Sequence, residues 1–413
     1  MEENEQLVLN WFSKLAGGHI NLGTLSDFMK NTCRKCNIQF RKIDPRRSEN
    51  IVLGINQDCL RKQKKVLVSY LDYDRTAYSL RHTKAHTNLQ EMMQMIRILI
   101  DMDFCIDVCG CNNTDAALEM PSDYYDYIIG FGDMFRLAKE RNPKAFTIMY
   151  MTENPYTVSK AGEQKRIDYF YERTGKRISF ARTGKFYLEN DELLADAVIC
   201  LGEKKYYSNE AVQRVYPSAF KNPKYIVNTS EKRKSTHFLV FGVKGFVHKG
   251  NDLLLEVFRN HPEWTLYMCG REITEECKKL GLKLPDNVVE CGFVDVESDK
   301  FLDLVEICPF VLLPSCSEGM STSLLTCMRH GQIPVTMRGT GMDELSEYCE
   351  YFEDYHIEAL DSKLEELSNM EKDRIVEYSD RIYQYANENF TLRNYTKRME
   401  LCLKEIIRLS GER

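Results

Sequence analysis

A single carboxylate, Glu318, follows the apolar run FVLLP (310–314) and precedes Gly319, Met320, Ser321, Thr322 and Ser323. An apolar strand, a glycine turn and small hydroxyl residues spell a strand–turn–helix mouth, with N-cap oxygens for a helix running to about Arg329. At such a mouth the first helical N–H groups lack partners within the helix and the helix dipole is positive. A phosphate or pyrophosphate is therefore stabilised there without side-chain charge. Glu318 would repel phosphate, and its natural partners are hydroxyl donors. A carboxylate beside an anion site suits a sugar joined to a phosphate, although a carboxylate here could also simply cap backbone N–H groups.

The complementary positive charge lies in VFGVKGFVHKGNDLLLEVF (240–258), at the end of another apolar strand. Lys244 and Lys249 flank a short loop in which Gly245 and Gly250 permit close backbone approach. Two ammonium groups there could neutralise a diphosphate leaving group as its charge develops. His248, directly before Lys249, is placed to contact a ligand.

These residues need a scaffold that brings strand ends together. The apolar strand VLVSYL (66–71) is followed by a segment with Leu89, Met92, Met93, Ile96 and Ile100 at helical spacing. Strands then recur at FCIDVCG (104–110), YDYIIGFG (125–132), AFTIMYM (145–151) and ADAVICLG (195–202), with helical segments between. A second series begins at THFLVFGV (236–243), after the polar stretch NTSEKRKS (228–235). Apolar strands alternating with helices imply parallel sheets covered on both faces, and ligands in such sheets bind beyond the carboxyl ends of the strands. The pattern predicts an α/β protein with two facing Rossmann-like domains: 65–230, and 231–387. Residues 1–64 read as a helical appendage carrying the stripe Leu7, Val8, Trp11, Phe12 and Leu15. The last segment, 388–413, is an amphipathic helix with Tyr395, Met399, Leu403 and Ile406 on one stripe, which needs a surface to bury it.

The 413 residues exceed a single ordinary core. The net charge of −6 argues against nucleic acid as the main partner. Fifteen cysteines at irregular spacing read as mostly free thiols, and neither the Cys33/Cys36 pair nor the Cys109/Cys111 pair has a mate at zinc-ribbon spacing. The opening residues are acidic and no window is long and apolar enough to span a membrane, which suggests a cytoplasmic protein. A basic cluster, Arg41, Lys42, Arg46, Arg47, Arg61, Lys62, Lys64 and Lys65, could meet anionic lipid headgroups at the inner membrane surface, or be a solvated face.

The segments KGFVHKGNDLLLEVF, CGFV and PSCSEGMSTSLLTCMRHGQIPV resemble, in order and spacing, the nucleotide-sugar-binding domain of the retaining glycosyltransferases of family four, which have the GT-B architecture and act in bacterial polysaccharide or glycolipid biosynthesis. The resemblance covers roughly 236–345, with a weaker compatible pattern over 65–230, and it implies a last helix that crosses back onto the first domain. It implies that Glu318 bonds hydroxyls of the donor sugar, that the backbone at Gly319, Met320, Ser321 and Thr322 holds sugar and diphosphate, and that Lys249 binds the diphosphate. Lys244 stands where the family usually has arginine, so the charge survives without the bidentate fork. Phe293 and Val294 match the position that reads the nucleobase, and Arg271 could reach base or ribose. The implied activity moves a sugar from a nucleotide-diphosphate donor to a hydroxyl acceptor, a glycan or lipid-linked, with retention of configuration. Neither metal nor another cofactor is implied.

Two departures stand out. The family's second glutamate, which bonds the donor ribose, is Thr326 here, so that recognition should be weaker or rerouted. The glycine-rich loop of many first domains is replaced by YLDYDRTAYSLRHTKAHTN, in which His86, Thr87 and Asn88 open the next helix and could face the transferred sugar. Glu153 and Arg166, in the loop after AFTIMYM, could meet an acceptor, as could Arg182 and Lys185. A sugar-nucleotide epimerase or phosphorylase, or a non-catalytic nucleotide-sugar-binding protein, would fit the same architecture.

Overall fold

The computed structural model describes residues 50–58, 60–74, 76, 86–226 and 232–411. The Leu7–Leu15 stripe, the Cys33/Cys36 pair and the basic residues 41–47 lie outside these residues.

The first sheet comprises β1 (Ile51–Ile55), β2 (Lys65–Tyr70), β3 (Cys105–Gly110), β4 (Tyr127–Gly130), β5 (Phe146–Met151), β6 (Ala197–Cys200) and β7 (Val212–Arg214), in the order β1-β3-β2-β4-β5-β6-β7. Pairing is parallel throughout except for the edge strand β1, which lies antiparallel on β3. Val66, Leu67 and Val68 are fully enclosed, which explains why these strands read as apolar runs rather than alternating ones. Helices α1 (Thr87–Asp101), α2 (Gly132–Arg141) and α3 (Tyr156–Thr174) connect the strands.

The sheet begins earlier than Lys65, because Ile51–Ile55 is one of its strands and not part of a helical appendage. The segment is short and broken by a bulge in which Gly54 N–H donates to Asp107 Oδ1 at 2.7 Å, so its sequence shows no sustained strand period.

The second sheet comprises β8 (His237–Phe241), β9 (Thr265–Cys269), β10 (Val288–Gly292), β11 (Phe310–Leu313), β12 (Ile333–Thr336) and β13 (Glu350–Tyr351), with helices α4 (Asn251–Asn260), α5 (Ile273–Leu280), α6 (Asp299–Ile307), α7 (Thr322–Met328), α8 (Ile357–Ser368) and α9 (Lys372–Asn389). All its strands are parallel, in the order β10-β9-β8-β11-β12-β13. This is the doubly wound order in which the chain reverses direction across the sheet between its two central strands. Here those strands are β8 and β11. The lysine loop leaves β8 and the Glu318 turn leaves β11, so topology alone puts them side by side.

The final helix, α10 (Leu392–Ser410), starts at Thr391, whose hydroxyl accepts the Asn394 N–H at 3.1 Å. Its buried stripe of Tyr395, Met399, Cys402, Leu403 and Ile406 packs on α1 of the first domain. Tyr395 and Tyr150 hydroxyls lie 3.5 Å apart, and Tyr127 and Ser410 hydroxyls 2.8 Å apart. The helix therefore returns to the first domain because that is where its apolar stripe finds cover.

Candidate active site

The loop after β8 folds back on itself, with Lys249 N–H donating to Gly245 C=O at 2.8 Å and Gly250 N–H to Val247 C=O at 3.0 Å. Gly250 has φ +72°, and a Cβ there would lie 2.5 Å from the Pro314 carbonyl oxygen. Glycine is needed on both counts, and it lets the two loops of the switch point touch. Lys249 Nζ then lies 3.2 Å from Glu318 Oε1, which also accepts the Ser315 hydroxyl at 2.9 Å. Burial alone would raise the Glu318 pKa, but Lys249, Arg182, His248 and the Ser315 bond outweigh it and hold the carboxyl at about 2. Glu318 is thus a carboxylate throughout the working range and can only accept hydrogen bonds.

His248 is buried and faces away from open solvent. Its Nε2 donates to the Ser317 carbonyl at 2.8 Å, while Nδ1 lies 3.4 Å from Cys316 Sγ and 3.5 Å from Glu163 Oε1. Burial opposes the imidazolium, yet Cys316 and Glu163 raise the pKa to about 10. Glu163, on α3 of the first domain, is held at about 2 despite burial by His248 and Thr183. His248 is therefore half of an interdomain ion pair rather than a donor contact, which corrects the sequence reading.

Further bonds close the domains over the Glu318 turn. Asn154 Nδ2 donates to Ser317 Oγ at 3.1 Å and to the Gly339 carbonyl at 3.0 Å, and the Ser159 and Ser317 hydroxyls lie 3.1 Å apart. A Cβ on Gly319 would sit 2.3 Å from the Thr152 carbonyl oxygen of the first domain. Arg166 is fully buried and pairs with Asp252 at 2.8 Å, and Arg173 joins the same carboxylate. Arg166 is consequently an interdomain clamp and not an acceptor contact. Its place on the inner face of α3, opposite the first turn of α4, could not be read from a polar loop.

The other expected residues are less closely gathered. Lys244 is exposed at the loop tip. Partial desolvation, and after it the Lys244 charge, lowers the His86 pKa. His86 is the N-cap of α1 but makes no side-chain cap bond. Thr87 is buried in α1, and Asn88 has an enclosed Oδ1 without a partner. Glu153 pairs with Arg182.

The Arg271 guanidinium lies 5.2 Å from the centroid of the exposed Phe293 ring, while Val294 is buried. Helix α7 starts at Thr322 with Ser321 as N-cap, but the Ser321 hydroxyl turns to Ser323 at 2.9 Å and leaves the capping bond unmade. The expected N-cap oxygens are thus not used, because two neighbouring hydroxyls satisfy each other. Met320 is buried beside them. Thr326 is buried too, and its hydroxyl accepts the Phe220 N–H at 3.3 Å. The segment joining the domains therefore covers the face of α7 on which a ribose contact was expected.

Sequence reasoning missed Asn154, Ser159, Glu163, Ser315 and Ser317 altogether. Ser315 and Ser317 stood within the PSCSEG stretch, where small hydroxyl residues straight after an apolar strand were the available signal. The others lie a domain away in sequence and carry none.

Comparison with known proteins agrees with this fold. Residues 227–389 match the family described as Glycosyl transferases group 1. No curated protein matches the chain closely enough in sequence to count as a relative. Among solved structures, the chain is similar to sucrose-phosphate synthase from Thermosynechococcus elongatus, at 12% identity and TM-score 0.55 over 84% of this chain and 100% of that one. HepE of Anabaena, solved in complex with UDP and glucose, is similar at 11% identity and TM-score 0.53 over 83% and 100% of the respective chains. WaaG, a glycosyltransferase involved in lipopolysaccharide biosynthesis, is similar at 15% identity and TM-score 0.50 over 82% and 99%. Two facing parallel sheets with the last helix crossing back define a GT-B protein. It is residues 227–389 that carry the likeness to the group 1 glycosyl transferases. Among the described residues no helix is long and apolar enough to cross a membrane.

Proposed function

We propose that the protein transfers a sugar from a nucleotide-diphosphate donor to a hydroxyl of a glycan or lipid-linked acceptor, with retention of configuration. The Lys249–Glu318 pair at the sheet's switch point carries this reading: a cation for the diphosphate and a permanent hydroxyl acceptor for the sugar, 3.2 Å apart. Lys244 adds charge as the leaving diphosphate develops. The backbone from Gly319 to Thr322 follows the donor, and the Phe293 ring with Arg271 offers a stacking platform for its base. His86, opposite Lys244, is the first-domain group best placed beside the transferred sugar. Because Glu318 stays ionised it cannot act as the acid, so protonation of the leaving group and deprotonation of the acceptor fall to phosphate or solvent. Retention then runs by attack on the face the diphosphate leaves. Lys249 and Glu318 are each less than a tenth exposed, so donor entry requires the domains to part.

The basic residues near the chain's beginning would bring the enzyme to an anionic membrane surface bearing a lipid-linked acceptor. Among the described ones, Arg61 is drawn to Asp58 and Asp103, whereas Lys62 projects into solvent.

A thermal-shift screen of nucleotide sugars tests the reading. A donor at a hundred times its dissociation constant stabilises the fold by about 2.7 kcal/mol, and a labelled form of the best hit should release nucleotide in the presence of acceptor. Interconversion of the sugar while it remains joined to the nucleotide would indicate an epimerase. Tight binding without turnover across an acceptor panel would indicate a binding protein. No stabilisation by any nucleotide sugar would overturn the donor site itself.

A further inference from the structure

The loop between α3 and β6 carries a second guanidinium to the donor site. Glu163 accepts backbone N–H groups from Ala181 at 2.5 Å, Arg182 at 3.1 Å and Thr183 at 2.8 Å. Successive N–H groups converging on one carboxylate fix the direction in which residue 182 leaves the loop. That carboxylate is also the partner of His248, next to Lys249 in the second domain. The position of Arg182 is therefore tied to the lysine loop through the ion pair that joins the domains.

The Arg182 stem lies on that loop. A Cβ on Gly245 would meet its Cδ at 3.5 Å and its Cγ at 3.6 Å, ordinary contact distances, so glycine gives the stem a flat seat between Lys244 and Lys249. The guanidinium pairs with Glu153, which follows β5 in the first domain, and the side chain keeps 30% of its surface exposed. Glu153 takes only part of the five-donor fork, and the rest is available to a ligand. The charges around this point are Lys244, Lys249, Arg182 and His248 against Glu153, Glu163 and Glu318, an excess of one positive charge before any anion arrives. Lys249 shares its charge with Glu318, and Lys244 is an exposed point charge. Arg182 alone offers planar, paired N–H donors to an oxyanion.

We propose that Arg182 is a ligand of the donor diphosphate, delivered by the first domain when the two domains meet. The proposal rests on the donor-site reading above. It makes a first-domain residue part of the diphosphate cradle and couples donor affinity to domain closure through Glu163 and His248.

Titration calorimetry tests this with UDP, GDP and ADP, followed by the nucleoside matching whichever diphosphate binds. R182A should weaken the diphosphate about 10- to 100-fold, as loss of hydrogen bonds to a charged group does, and leave nucleoside affinity unchanged. R182K should recover part of the loss, since it restores charge without the fork. E153Q, which removes a competing anion, should bind the diphosphate more tightly than the wild type. Equal diphosphate affinity in R182A and wild type would overturn the proposal. So would a loss of equal size for the nucleoside, which would make Arg182 a structural tie. Wild-type protein that binds no nucleoside diphosphate would instead overturn the donor site on which the proposal stands.

Discussion

Replacing Lys249 with methionine keeps the side-chain stem and removes its charge. At 3.2 Å from Glu318 and an effective dielectric near 20, the attraction lost is about 5 kcal/mol. Part of this returns because an ammonium no longer has to be desolvated. Glu318 also keeps Arg182, His248 and Ser315. The net destabilisation should be about 1–3 kcal/mol, well short of unfolding. Activity should fall much further, about 100- to 1,000-fold in kcat/KM, as when a preorganised partner of a developing oxyanion is removed. The double variant K249M/E318L separates the two effects. Removing both charges should recover most of the stability, because no buried ion is left unpaired, yet turnover should remain absent because the acceptor for the sugar hydroxyls is gone as well. Chemical denaturation measures the first quantity, and nucleotide release from the donor found by screening measures the second. Wild-type kcat/KM in folded K249M, or turnover in the double variant, would refute the assignment of chemistry to this pair.

Two further outcomes follow from the interdomain contacts. The folded-state pKa of His248, about 10, exceeds its ordinary value. Its stabilisation is therefore fully present below pH 6.5 and lost as pH rises through about 10, a loss of a few kcal/mol at most; H248Q should flatten that slope in denaturation measured at several pH values, and an unchanged slope would exclude the ion pair with Glu163. Gly319→Ala places a methyl 2.3 Å from the Thr152 carbonyl oxygen, so the domains should fail to close. Turnover should drop at least tenfold with a lower thermal midpoint, and a wild-type midpoint would show that this contact does not form in solution.

Much of the second domain was legible because its signals are local. Apolar runs of four to six residues followed by glycine turns announce β8 and β11 and the loops that leave them. Charge type and spacing then mark Lys249 and Glu318. What could not be read were contacts between residues far apart in the chain. Arg166 looked like a loop residue facing an acceptor, but its guanidinium is enclosed against Asp252. His248 looked like a ligand contact, but Glu163 claims it. Neither partner has a sequence relation to the other. The edge strand Ile51–Ile55 escaped notice because a bulge interrupts its period, and edge pairing demands little of side-chain pattern.

Composition and periodicity by themselves determined the α/β class and the two sheet domains, because burying parallel strands on both faces demands apolar residues along each strand. Tertiary structure alone decided which charges meet. It gave Glu318 a lysine and His248 a carboxylate, laid Arg182 on Gly245, and set Thr326 against the interdomain segment. Ionisation and access depend on distance and burial in space, and the spacing of residues along a chain does not encode either.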